Sequence, residues 1–184
     1  IYQEYSMSGA EEMKEFIQIL LDISSATAGY QMKKEEFSFQ QFWGHILSQG
    51  EWVCREKQVK LKPVRGYIPE KISGDSMLLE RAVMNLISNA SDYAPADSEV
   101  LLSADREGEY LRILVTDSGP GFSKEAMEHG RDKFYMGDKS RSSRLHYGMG
   151  LYIADRILQQ HKGRLILRNS RRTGGGEAVI KIPL

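Results

Sequence analysis

Asn85 and Asn89 lie four residues apart in a stretch whose apolar residues recur at helical intervals. On one helix both carboxamides would project from the same face and could converge on one ligand. The spacing alone fits equally well two asparagines bonded to nearby backbone. Asp117-Ser118-Gly119-Pro120-Gly121-Phe122 follows a strand-like run. There a carboxylate acceptor precedes glycines that let main chain approach a flat ligand, such as a purine with its exocyclic amine. As an isolated motif it is also an ordinary turn.

Gly148-Met149-Gly150 stands before a strongly periodic helix, where free amides and the positive end of the helix dipole attract phosphate. It is not a dinucleotide fingerprint, because Ile153 occupies the place of the third glycine. There is no Gly-Lys-Ser/Thr of a phosphate loop either. Between the two glycine turns, residues 130–147 carry Arg131, Lys133, Lys139, Arg141 and Arg144 around Phe134-Tyr135. This basic, weakly periodic segment could fold over a polyphosphate as a lid or remain a solvated loop.

These residues need elements to hold them in place. Residues 77–93, capped by Asp75 or Ser76 and ended by Pro95, carry Leu78, Leu79, Ala82, Val83, Leu86, Ile87 and Ala90 as a broad apolar stripe. Residues 39–57 repeat the helical pattern with Phe42, Trp43, Ile46, Leu47, Val53 and Cys54, ahead of an alternating run through Pro63. Strands are expected at 99–104 and 110–116, joined through 105–109 as a hairpin, and again at 164–168 and 178–184. Short and long helices are expected at 124–129 and 151–161, with a tight turn at Gly174-Gly175-Gly176. Three helices over one mixed, largely antiparallel sheet make a two-layer α/β sandwich.

Ahead of this unit, Met13, Ile17, Leu20, Leu21 and Ser24 fall at helical spacing, and a charged connector, Lys33-Lys34-Glu35-Glu36, follows. The boundary is placed there, giving a leading helix and linker at 1–36 and a globular unit at 37–184. The chain has 184 residues, enough for one good core with an extension. Lys+Arg 25 against Asp+Glu 25 leaves no whole-molecule field to draw it toward nucleic acid. The single cysteine, Cys54, reads as a packed apolar residue, and a reducing, cytoplasmic setting is expected.

In order, these pieces resemble the nucleotide-binding boxes of the histidine kinase branch of the superfamily that also includes gyrase, the heat-shock chaperone ATPases and MutL. Asn85-Leu-Ile-Ser-Asn89-Ala matches the N box and Asp117-Ser-Gly-Pro-Gly121 the first glycine box. Lys133-Phe134-Tyr135 matches the F box, Gly148-Met-Gly150-Leu151 the second glycine box, and Gly174-Gly-Gly176, more loosely, a third. The resemblance implies ATP and Mg²⁺ as ligands, with Asn89 on the metal helped by Asn85. It further implies Tyr93 along the adenine, Asp117 accepting from the adenine amine, and Arg141, the rest of the 130–147 lid and the Gly148 turn on the phosphates. Two departures stand out. Asp92 replaces the usual Lys or Arg before the tyrosine and is expected to repel phosphate, and Glu177 falls near the place of a threonine after the third glycine box.

The hydrolysing members of the superfamily place Glu four residues before the metal-binding Asn, as a general base; here that residue is Asn85. The resemblance therefore implies transfer of the γ-phosphoryl group to a histidine on an upstream helix outside this chain. His45, His129, His146 and His161 lack the acceptor motif and read as surface or capping residues. Residues 13–24 resemble the second helix of a dimerisation hairpin, which implies a homodimeric, membrane-anchored sensor and a response regulator as partner. A degenerate nucleotide-binding module without transfer and an anti-sigma-type serine kinase are the alternatives.

Overall fold

The computed structural model describes residues 24, 31–64, 66, 67, 69–133, 135 and 149–184. Within them lie seven strands and four helices. The strands are β1 (Glu35–Ser38), β2 (Lys60–Pro63), β3 (Lys71–Gly74), β4 (Glu99–Glu107), β5 (Tyr110–Thr116), β6 (Arg164–Asn169) and β7 (Gly176–Pro183). The helices are α1 (Phe39–Glu56), α2 (Ser76–Tyr93), α3 (Lys124–His129) and α4 (Gly150–Gln160).

Each helix starts where its sequence supplies a cap. Ser38 accepts from the Gln41 amide at the head of α1, Asp75 from Leu78 at the head of α2, and Ser123 from Ala126 at the head of α3. The Ala94-Pro95 step ends α2, since the residue before a proline is pushed out of the helical region. The exception is α4, whose N-cap Met149 makes no side-chain capping bond.

Five strands form one sheet in the order β2-β4-β5-β7-β6, with β2 parallel to β4 and every other pair antiparallel. Alternate residues of β5 and β7, Leu111, Ile113 and Val115 with Ala178, Ile180 and Ile182, turn to one face and are buried. Against that face pack Phe39, Trp43 and Ile46 of α1, Leu86 and Ile87 of α2, and Ile153, Ile157 and Leu158 of α4. α1 lies over β2, α2 over β4, β5 and β7, and α4 over β6 and β7. The two-layer sandwich expected from the pattern is the architecture found, and α2 runs through its middle.

Two strands were not foreseen. Glu35 and Glu36, assigned to a charged connector, instead begin β1, which pairs antiparallel with β3 as a separate two-stranded ribbon. Their four-residue length and exposed charges hide them from a periodicity reading. β4 also runs on through Glu107 instead of turning at Asp105. Arg112 on β5 explains this, for its Nε and Nη2 reach Asp105 at 2.6 and 2.7 Å and its Nη1 reaches Glu107 at 3.0 Å. The turn is left to Gly108 and Glu109. The helix expected at 13–24, apart from Ser24, lies outside the described residues.

Candidate nucleotide site

The central helix α2 presents Asn85, Asn89 and Tyr93 at successive i,i+4 steps, all three half-buried. From Asn85 to Tyr93 the helix rises about 12 Å. At its upper end stands the start of α4: Gly150 lies against Asn85, a Cβ there meeting nothing nearer than the Asn85 Cβ at 3.9 Å. The first turn of α4, to which Met149 gives no side-chain capping bond, therefore starts beside Asn85. At its lower end Gly119 sits on the Tyr93 carbonyl so closely that a Cβ would fall 2.4 Å from that oxygen, and only glycine fits. One helix face thus runs from a phosphate-type turn to the glycine loop after β5.

Asp117 directly follows β5 and is buried, 5% exposed. Its Oδ1 accepts the amides of Gly119 at 2.7 Å and Gly176 at 3.0 Å; Oδ2 receives neither. Burial pushes the carboxyl above the usual aspartate range, and the two amides offset part of that rise. Thr173 adds a hydroxyl that donates to the Asp117 carbonyl at 2.7 Å, while Asn169 holds both main-chain groups of Phe122. Sequence reasoning missed Thr173 and Asn169. The available signal was their place in the turn 169–175, where Ser, Thr, Asn and Gly crowd between two strands.

Asn85 carries a further mark. Its Nδ2 is buried and has no hydrogen-bond partner among the described residues. A buried donor left unpaired costs about 1–3 kcal/mol, so this position suits an acceptor brought by a ligand, with the amide oxygens of Asn85 and Asn89 left for a hard cation. The residues present therefore fit a magnesium polyphosphate.

Both departures have partners in the fold. Asp92 is not a bare repelling carboxylate: Lys57, at the end of α1, forms an ion pair with it and also donates to the Ser88 carbonyl and hydroxyl at 3.3 and 3.2 Å. Glu177 accepts from Thr116 at 3.2 Å and pairs with Arg168, so it ties together β5, β7 and β6. At the foot of the basic segment, Lys133 is exposed with its ammonium 5.3 Å over the Tyr152 ring of α4. Tyr135 is half-buried, its amide bonded to the Asp132 carbonyl, and Leu151 packs against the core. Phe134, Arg141, Gly148 and residues 136–147 with His146 lie outside the described residues.

The remaining histidines are engaged elsewhere. His45 bonds Glu80 and Gln49 on the surface of α1 and α2, His129 pairs with Asp132, and His161 caps the end of α4. Cys54 is fully buried, which pushes its thiol up to about 11 and leaves it an apolar packing residue. No described helix is long and apolar enough to cross a membrane.

Comparison with known proteins agrees with this geometry. Residues 74–184 match the family of histidine kinase-, DNA gyrase B- and HSP90-like ATPases. The sensor histidine kinase SpaK of Bacillus subtilis is 30% identical over the whole of this chain, which spans 40% of that protein. The sensor-like histidine kinase SenX3 of Mycobacterium tuberculosis is 37% identical over 56% of this chain, 26% of its own length. This chain thus spans less than half the length of these relatives. Among solved structures, the mycobacterial sensor histidine kinase MprB superposes with a TM-score of 0.68 at 21% identity, over 81% of this chain and 96% of that one. Histidine kinase ThkA, in complex with the response regulator TrrA, superposes with a TM-score of 0.78 at 17% identity, over 100% of this chain and 51% of that one. The buried carboxylate after β5 and the Asn85 amide, unpaired among the described residues, both fall within the matched stretch, and the match places the chain in the family of histidine kinase-, DNA gyrase B- and HSP90-like ATPases.

Proposed function

We propose that this chain is the ATP-binding catalytic part of a two-component sensor histidine kinase and transfers the γ-phosphoryl group of ATP to a histidine on an upstream helix. The observation that carries this is the order of groups along α2: the uncapped start of α4 beside Asn85, then Asn89, then Tyr93 under the Asp117 loop. That order suits a nucleoside triphosphate laid along the helix, base at the Asp117 end. Asp117 accepts from the purine 6-amine through Oδ2, and Tyr93 and the Gly119–Gly121 backbone flank the ring. Asn89 and Asn85 would hold a magnesium ion through their amide oxygens, and the ion would supply neutralisation of phosphate charge. To the phosphates we assign the amides of Gly148, Gly150 and Leu151, with Lys133, Phe134, Tyr135 and Arg141 of the basic segment.

No carboxylate takes the place of Asn85, and an amide does not accept a proton from water at neutral pH. The attacking group is then an imidazole nitrogen of the acceptor. It forms an N–P bond as the bond to the β-phosphate oxygen breaks, and ADP leaves. We place residues 1–36 as the second hairpin helix and linker, the dimer and the response regulator contact in the longer protein, and the chain on the cytoplasmic side.

The test supplies the acceptor hairpin in trans with γ-labelled ATP and Mg²⁺. Acid-labile, base-stable label on the hairpin is the expected result. Label released only as inorganic phosphate would point to a hydrolase, and ATP binding with neither product to a binding module.

A further inference from the structure

At the exposed end of β6 one carboxamide is spent wholly on another segment's main chain. Asn169 Nδ2 donates to the Phe122 carbonyl at 3.0 Å, and Asn169 Oδ1 accepts the Phe122 amide at 2.7 Å. The two bonds close a ring that copies one step of strand pairing, with a side chain in place of a strand. Gly121, just before, has φ +79, and a Cβ there would fall 2.8 Å from Asn169 Oδ1. The loop backbone is therefore fitted to this amide.

The loop 117–122 is held at both ends from neighbouring strands. At its head, Asp117 receives the Gly176 amide of β7 and the Thr173 hydroxyl. At its tail, Phe122 is held by the Asn169 side chain, from a residue paired across the sheet with that same Gly176. Between these anchors stand Gly119, Pro120 and Gly121, which have little side-chain packing of their own to fix them.

We propose that Asn169 is a positioning residue for purine recognition: its carboxamide holds the tail of the loop so that Asp117 Oδ2 and the glycine backbone meet the 6-amino edge of the base together. This rests on the reading of that loop as the adenine site. Asn169 touches the loop and not the nucleotide, so its effect is on discrimination between bases and not on the phosphates.

The test measures binding of ATP, and of the purine riboside triphosphate that lacks the 6-amino group, to the wild type and to Asn169→Ala, Asn169→Asp and Asn169→Ser. The wild type prefers ATP. In Asn169→Ala the preference is expected to collapse, with ATP about tenfold weaker, the analogue little changed and the melting temperature nearly kept. Asn169→Asp keeps the acceptor for the Phe122 amide but sets an oxygen against its carbonyl, and behaves like the alanine variant. Asn169→Ser keeps one bond and lies between. An unchanged preference in Asn169→Ala, or an equal loss for both nucleotides together with a fall in melting temperature, would overturn the inference. A wild type that binds neither nucleotide overturns the site reading itself, and this inference with it.

Discussion

Asp117 concentrates the chemistry of the base end in one buried carboxylate. Two backbone amides satisfy Oδ1, while burial raises the carboxyl above its ordinary value. Only the ionised form offers Oδ2 as an acceptor without a competing proton. Affinity for ATP should therefore fall on acidification from a pH above the usual aspartate range, and a titration series from neutral pH downward checks this. A flat profile down to the ordinary aspartate range would remove Asp117 from base recognition. For folding the sign is opposite: in that window the native state binds more protons than the unfolded chain, so this group's contribution to stability rises as pH falls. Asn85, Asn89 and Asp117 were legible in the sequence because residue type and spacing define them. Asn169, Thr173 and Lys57 were not, because their meaning depends on which backbone group or charge they meet across 47, 56 and 35 residues of chain.

The elements are joined at one polar knot on the side away from the glycine loop. His161, ending α4, has Nδ1 2.8 Å from the Ile157 carbonyl and Nε2 2.9 Å from the Asp75 amide, so the proton is assigned to Nδ1 and Nε2 accepts. Asp75 in turn caps α2 through Leu78 and accepts the Lys33 amide at 3.0 Å. This single contact set ties the segment before β1 to the helix of the asparagines and to α4. Burial lowers the His161 pKa below its ordinary 6.5, and protonation would turn Nε2 into a donor facing another donor. Below pH 6.5 the unfolded chain then binds more protons than the native one, so stability falls as pH drops through that range. Denaturant titrations at several pH values should show this for the wild type and a shallower dependence for His161→Gln. Equal slopes would mean that His161 titrates like a free side chain. Of the helices carrying this knot, α2 was legible from its apolar period and its Asp75 cap, and α4 from its apolar period. β1 and β3 were not, because four-residue ribbon strands carry little pattern of their own and depend on one another for pairing.

At the scale of the molecule, the sheet and its helices bring together groups from widely separated parts of the chain. α2 supplies the asparagines and tyrosine, the loop after β5 the carboxylate, α4 its first turn, and the end of β6 with the turn after it the anchors of the loop. The ordered boxes make this assembly readable in outline from the sequence, and the family match over 74–184 covers it from Gly74 to the last strand. What the order alone could not give was the fate of Asp92, whose charge is met by Lys57 from α1. The most direct test of the account is calorimetric titration of the chain with ATP, with and without Mg²⁺, beside Asn89→Ala. We expect binding that Mg²⁺ strengthens and that loses most of this Mg²⁺ dependence in the variant. A folded wild type that binds no ATP under either condition, or an Asn89→Ala variant with the full Mg²⁺ effect, would contradict it.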